Sequence, residues 1–457
     1  MPLIHVLPLL YNSKNGRLTV KNLYKQTLEL APLVFQKLVI SNIPIWGYYY
    51  CILKIQRNGY ENILLWRECM YKIMTPGPTQ VRENVRLSRS EEITNPDLDA
   101  EFFDFYKETC QLIGELIDTK NPVYILGGEG ILALEAACAS LTEPGDKVLV
   151  IDNGVFGKGF GDFVSLYGGQ PVYYSVDYRE EIDIEQLGKY LKLNHDFKYA
   201  TLVHCDTPSG VLNNIQSICP LLQGYGIITV VDAVASMFGE ELSVDGSGID
   251  IVCGGSQKVL SAPPGLCFVS VSERAFATME KRKVPIASYY GNLLQFKGYY
   301  ENRWFPYTMP ISDIKGLRTA VDNIRADQDI IRRHEAIGKG VRHALLEGGL
   351  SLFINKGFSN TVTAINLPEN IRAEDILRIM KDKYHILIGG SLASLSGKII
   401  RIGHMGENAN VTDVAETLQA LAKTLEELGF LVRTNLKSVF LETLPSGKKG
   451  SDLGKKV

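Results

Sequence analysis

The chain has 457 residues, 48 Lys+Arg against 51 Asp+Glu for a formal net charge of −3, and 45% hydrophobic residues. That length supports more than one domain and a full apolar core, and the balanced charge argues against a nucleic-acid binder, which carries a basic excess or stripe. With 22% charged residues, 42 Gly and 19 Pro, the composition is that of a globular α/β protein, not of a disordered or fibrous chain.

Residues 1–69 are rich in Tyr, Leu, Ile and Lys but show no sustained period of 3.6 or 2. The opening MPLIHVLPLL lacks a basic region and a small-residue cleavage site, so it makes a poor signal peptide. The most apolar stretch, 38–53, is interrupted by Ser41, Asn42, Pro44 and Gly47, short of the roughly 20 clean apolar residues of a membrane helix. No membrane partner is expected. At the nucleotide level Trp66 is TGG, and Arg67 as AGG with Glu68 as GAG gives a purine-rich stretch just before the Met70 codon. The expectation is a native start at Met70, with residues 1–69 upstream sequence read in frame; the alternative is a genuine N-terminal extension. Residues 70–84 follow as an N-terminal segment lining the site.

From about Gly114 short apolar runs alternate with helical patterns, the mark of βαβ units and a mostly parallel sheet. Strands are expected over 146–151, 171–175, 200–204, 227–231, 249–253 and 266–271, with helices at 131–141 and 184–193. Past Ile331 the order becomes helix (334–348), strand (361–367), helix (373–382), strand (399–402) and helix (411–428). The fold class expected is α/β: a large domain over 85–330 and a smaller C-terminal α+β domain over 331–432. Residues 433–457, ending in Gly, Ser and Lys, are expected to be a flexible tail. The eight cysteines form no CxxC pair and the seven His are dispersed. This pattern reads as reduced thiols of a cytoplasmic protein without a metal centre.

Three features could carry chemistry. Gly127-Gly128-Glu129-Gly130 follows an apolar run and opens a helix, where bare backbone N–H groups and the helix dipole favour a phosphate. The spacing fits neither GxGxxG nor GxxxxGK[ST], which disfavours a dinucleotide or NTP site, and Glu129 is an odd neighbour for a phosphate. Asp232 ends the run Ile227–Val231, at the strand end where open α/β sheets bind ligands. Burial would raise its pKa, so a cationic partner is expected to hold it ionised. Lys258 leaves a Gly254-Gly255-Ser256-Gln257 turn beside apolar strands, where desolvation makes an amine nucleophilic and suited to Schiff-base chemistry. A phosphate cradle, a strand-end carboxylate and a turn-borne lysine, in that order, are the parts of a pyridoxal 5′-phosphate site. Taken singly, each has a plainer explanation: a tight turn, a helix cap and an exposed loop lysine.

The stretch Val231-Asp232-Ala233-Val234-Ala235 and the run GGSQKVLSAPPG over 254–265 resemble the class V, fold type I aminotransferases of the alanine–glyoxylate and serine–pyruvate group. Thr75-Pro76-Gly77-Pro78, Ala133-Leu134-Glu135-Ala136 and Arg401-Ile402-Gly403-His404 extend the likeness over Met74 to Leu428. The resemblance implies Lys258 as the carbonyl-condensing lysine, Asp232 as partner of the ring nitrogen and Phe156 as the aromatic that stacks on the ring. It gives Thr207 the ring oxygen, Gln257 and the Gly128–Ile131 loop (Gly128, Glu129, Gly130, Ile131) the phosphate, and Thr308 a phosphate contact made across a homodimer. Glu129 and Ile131 depart from relatives, which often place Ser and a polar or aromatic residue there; Glu129 could point away. Arg401 would grip the substrate carboxylate through two parallel bonds. Gly77 would let the backbone close on the substrate, and His404 reads as structural.

The activity implied is pyridoxal-phosphate-dependent transamination between L-alanine or L-serine and glyoxylate or pyruvate. A ureidoglycine–glyoxylate or phosphonate-type aminotransferase is the alternative on the same scaffold. A cysteine desulfurase is disfavoured, because Gln257 precedes Lys258 and no Cys lies beyond 267. A non-catalytic pyridoxal-binding protein is disfavoured by the intact Lys258, Asp232 and Arg401.

Overall fold

The computed structural model describes residues 71–445 in full, and the backbone of three strands within 38–68. These are β1 (Leu38–Ile45), β2 (Tyr48–Arg57) and β3 (Tyr60–Glu68), an antiparallel sheet in that order. They lie where the sequence shows no period of 2. Residues 1–37, Met70 and 446–457, on which the expected start and the end of the tail fall, lie outside the described residues. Two compact units result, one of residues up to 72 with 382–385, the other of the remaining described chain.

The second unit is built on a seven-stranded sheet. After α1 (Ala100–Leu116) come β4 (Val123–Gly127), α2 (Gly130–Leu141), β5 (Lys147–Asp152), α3 (Val155–Leu166), β6 (Gln170–Ser175), α4 (Ile184–Leu193) and β7 (Tyr199–Val203). A two-residue hairpin, β8 (Cys205–Asp206) and β9 (Val211–Leu212), leads to α5 (Ile215–Gly224), β10 (Ile228–Asp232), β11 (Ile251–Gly255), β12 (Leu266–Val271) and α6 (Glu273–Glu280). The spatial order is β4-β12-β11-β10-β7-β5-β6. Every pairing is parallel except the two made by β12. β7, β10, β11 and β12 are buried along their whole length, which is why they read as continuous apolar runs and not as alternation. The strands and helices expected up to residue 271 all form, with ends displaced by one or two residues.

After α7 (Ile311–Ala326) the chain follows α8 (Ile330–Glu347), β13 (Val362–Asn366), α9 (Ala373–Tyr384), β14 (Ile399–Gly403), α10 (Val411–Glu427) and α11 (Leu436–Thr443). β13 and β14 pair antiparallel, the α+β order expected for this part. The helix α11 corrects the expectation of a flexible tail from residue 433. Asn435 caps it by accepting from the Ser438 amide at 3.1 Å, and Leu436 and Phe440, one turn apart, are fully buried. Among the described residues no helix is long and apolar enough to cross a membrane.

Candidate active site

The parallel strands end on one edge of the sheet, and the loops beyond β10 and β11 bring Asp232 and Lys258 there. Asp232 is 4% exposed, and its Oδ1 accepts from the Val234 amide at 2.8 Å. Burial pushes its pKa up to about 7; the Val234 amide opposes this, the charge of Asp206 adds to it, and Lys258 opposes again from farther away. Among the described residues no Lys or Arg lies within ion-pair distance of it, so the cationic partner expected from the sequence is not one of their side chains. Lys258 Nζ donates to the Pro76 carbonyl at 2.7 Å. Burial, and then the positive charge of Arg401, hold its pKa down at about 8, against the pull of Asp232.

The segment before the first helix turns wraps this lysine. Thr79 donates from its hydroxyl to the Lys258 carbonyl at 3.0 Å and from its amide to the Gln257 carbonyl at 3.1 Å. Gly77, at φ +94°, lies so close that a Cβ there would sit 2.4 Å from Lys258 Cδ. Its bareness makes room for the lysine stem. Gly77 therefore closes on Lys258 itself.

Arg401 lies on β14, 8% exposed. Its Nε donates to the Gly390 carbonyl at 2.6 Å and Nη1 to the Thr207 carbonyl at 2.9 Å, so the guanidinium is oriented before any substrate arrives. Burial lowers its pKa to about 10, with the charge of Asp206 pulling the other way. Thr207 therefore enters the site through its main-chain carbonyl. Phe156, half-buried in the first turn of α3, donates its amide to Asp206 Oδ1 at 2.9 Å. His404 is structural: fully buried, its Nε2 bonds the Thr363 hydroxyl at 2.8 Å and its Nδ1 the Asn360 carbonyl at 2.9 Å.

The glycine loop opens α2. A Cβ on Gly130 would meet the methyls of Val234 at 2.9 Å, and one on Gly255 would meet Val234 at 3.1 Å, so both backbones crowd one spot next to Asp232. Gly128 is bare because Leu132 folds over it, 2.4 Å from where its Cβ would be. Ile131 exposes its side chain, leaving its main chain to face the loop. Glu129 does not point away from the site: its Oε2 accepts from Gln257 Nε2 at 3.2 Å, and its charge is felt at both Asp232 and Lys258. Gln257 Oε1 is buried without a hydrogen-bond partner among the described residues. Thr308 is not brought to this cluster; its hydroxyl donates to Asp97 at 3.1 Å on the exposed surface. Its neighbour Tyr307 accepts from the Gly127 amide at 3.3 Å and stacks on Tyr290. The sequence alone does not single out Asp206, though it stands next to Thr207.

These residues fit the ring end of pyridoxal phosphate. A buried carboxylate with raised proton affinity and no cationic side chain beside it suits a pyridine N–H, and a desolvated lysine amine suits its aldehyde. The amides opening α2 suit a phosphate, while Glu129 beside them does not. Fold and site together define a fold type I pyridoxal-phosphate-dependent transferase. The chain belongs to the class V aminotransferase family, whose profile matches residues 80–409. It is 33% identical to the pyridoxamine–pyruvate transaminase of Mesorhizobium japonicum over 73% of this chain and 86% of that one. It is 30% identical to the alanine–glyoxylate aminotransferase of Felis catus over 78% and 87%. The solved ureidoglycine–glyoxylate aminotransferase of Bacillus subtilis superposes with a TM-score of 0.78 at 28% identity, covering 82% of this chain and 98% of that one.

Proposed function

We propose that this enzyme moves an amino group between a small L-amino acid, L-alanine or L-serine, and glyoxylate or pyruvate, in a ping-pong sequence. The observation that carries it is the convergence of a desolvated Lys258 amine, a buried Asp232 and a pre-oriented Arg401 at one sheet edge. Bound pyridoxal phosphate supplies an aldehyde that condenses with amines and a ring that accepts the electron pair left by a departing Cα proton. Arg401 receives the substrate carboxylate on its Nη2 side, the nitrogen with no protein acceptor among the described residues. That grip sets the Cα–H toward Lys258. Lys258 Nζ, near neutrality in its proton affinity, takes that proton as general base and returns it as general acid. Asp232 holds the ring nitrogen's proton, and Phe156 covers one ring face.

We also propose a cytoplasmic homodimer in which Thr308 completes the phosphate end of the neighbouring chain's site. Six buried free cysteines among the described residues suit a reducing compartment. The test is the visible absorbance of the holoenzyme before and after L-alanine or L-serine, without an oxo acid. The yellow band should bleach with one of them and be absent in Lys258→Ala. A band that neither amino acid bleaches would overturn the donor proposed.

Glu129 favours a second reading, in which pyridoxamine is the amino donor and pyruvate the acceptor, the pair named for the Mesorhizobium relative. Two unit charges about 4 Å apart repel by about 1 kcal/mol in water and about 4 kcal/mol at an effective dielectric near 20. A helix N-terminus returns about 0.3–1 kcal/mol. A carboxylate hydrogen-bonded beside the phosphate seat therefore tips the site toward the unphosphorylated vitamer. Alanine formed from pyridoxamine and pyruvate, with phosphate-ester binding strengthened in Glu129→Gly, is the expected result. Tight wild-type binding of pyridoxal phosphate that Glu129→Gly does not improve would sink it.

A further inference from the structure

Asp206, at the end of β8, is fully buried and carries no ion pair among the described residues. Its carboxylate instead collects donors. Oδ1 accepts from the Phe156 amide at 2.9 Å, Oδ2 accepts from the Ser209 amide at 3.1 Å and the Ser209 hydroxyl at 2.8 Å, and the Val155 amide also bonds it. The helix α3 has no cap of its own, because the residue at that position is Gly154. Asp206 provides the cap from another element, 50 residues later in sequence. Gly154 is bare for the same reason: a Cβ there would lie 2.3 Å from Asp206 Cγ.

The next peptide unit ties in the other half of the site. The Thr207 carbonyl is the acceptor for Arg401 Nη1, so a shift of Asp206 moves the seat of the guanidinium as well as the first turn of α3. We propose that Asp206 is a positioning residue that sets the ring of Phe156 and the guanidinium of Arg401 at a fixed distance from each other, so that cofactor face and substrate carboxylate site are registered by one carboxylate. This rests on Phe156 facing the cofactor and Arg401 facing the substrate, as proposed above.

Four donors aim at Asp206, so an acceptor-only group is needed. An amide of the same shape would turn an NH2 against a backbone N–H that cannot reverse its polarity, whereas the Ser209 hydroxyl can. The experiment compares Phe156→Leu, Asp206→Asn and the double variant, each loaded with pyridoxal 5′-phosphate. Visible circular dichroism of the bound chromophore, cofactor Kd and KM for the amino donor are read alongside the melting temperature. Asp206→Asn should reduce the visible band in the same sense as Phe156→Leu and weaken the cofactor by about tenfold, the effect of losing one hydrogen bond to a charged acceptor. KM for the donor should rise while Phe156→Leu leaves it nearer to wild type, and the double variant should lose little more cofactor affinity than Phe156→Leu.

If Phe156→Leu perturbs the chromophore and Asp206→Asn lowers only the melting temperature, Asp206 is a helix cap and the proposal falls alone. If Phe156→Leu itself leaves the chromophore unchanged, the placement of Phe156 fails and the proposal falls with it. Should Asp206→Asn not fold, Gly154→Ala makes the same test, since its methyl group displaces the carboxylate while both side chains remain.

Discussion

Lys258 shows how much of a catalytic property resides in a residue's surroundings. Its amine is lowered to about 8 by burial first and by the charge of Arg401 second. The folded state therefore sheds a proton that the unfolded chain keeps up to about pH 10.4. The apoenzyme accordingly gains stability as pH rises from about 8 to about 10.4, where the unfolded state binds more protons. Capture of pyridoxal phosphate should speed up through the same lower limit, because only the free amine attacks. Arg401→Gln should move that midpoint upward and Asp232→Asn downward, as removal of a positive and a negative neighbour requires. Stopped-flow capture rates across pH would read both shifts, and a midpoint unmoved in Arg401→Gln would refute the electrostatic part. Lys258, Asp232 and Arg401 are legible in the sequence because each stands in a short run whose neighbours declare it. Asp206 is not, since its meaning lies in Phe156, far away along the chain, and the contact of Gly77 with the Lys258 stem is hidden for the same reason, the two standing in distant loops.

Elements follow the same division between local and distant signals. Buried parallel strands announce themselves as apolar runs, and the helices between them as 3.6-residue periods, so six of the seven strands of the sheet are readable almost to their ends. The short helix α11 is not, because a Gly/Ser/Lys terminus outweighs one turn of apolar spacing. What holds it is tertiary: Phe440 packs on α8, close enough to Gly340 that a Cβ there would meet the ring at 3.0 Å. Phe440→Ala should cost about 3–5 kcal/mol of stability, as for other buried aromatics, and Asn435→Ala about 1 kcal/mol through the lost cap. Chemical denaturation would measure both, with kcat and KM at 25 °C near wild type, since neither residue touches the site. A Phe440→Ala loss below about 1 kcal/mol, the scale of a surface change, would mean that α11 is not docked as described.

At the scale of the whole molecule, the sequence offers no period or motif for a surface that meets a second copy, because intrachain burial is what periodicity reports. The surface does show a group of exposed aromatic side chains. Tyr289, Tyr290 and Trp304 are 59%, 54% and 50% exposed, in the same stretch as Tyr307 and Thr308, and Tyr290 stacks on Tyr307 with ring centroids 4.3 Å apart. Exposed aromatics grouped in this way are what an interface core uses, and burying each Tyr or Trp removes a large apolar area from water. Tyr307 also holds the Gly127 amide, so the cluster joins that surface to the glycine loop at the mouth of the site. If the homodimer forms there, Trp304→Glu and Tyr290→Glu place a charge in its core, and both should shift sedimentation toward monomer. Cofactor should leave in step, because Thr308 then no longer reaches the neighbouring site. Sedimentation velocity recorded at the chromophore's wavelength reads the two together. A wild-type monomer that keeps its full cofactor would overturn the dimer; variants that become monomeric yet keep cofactor would leave the dimer and remove Thr308 from the phosphate.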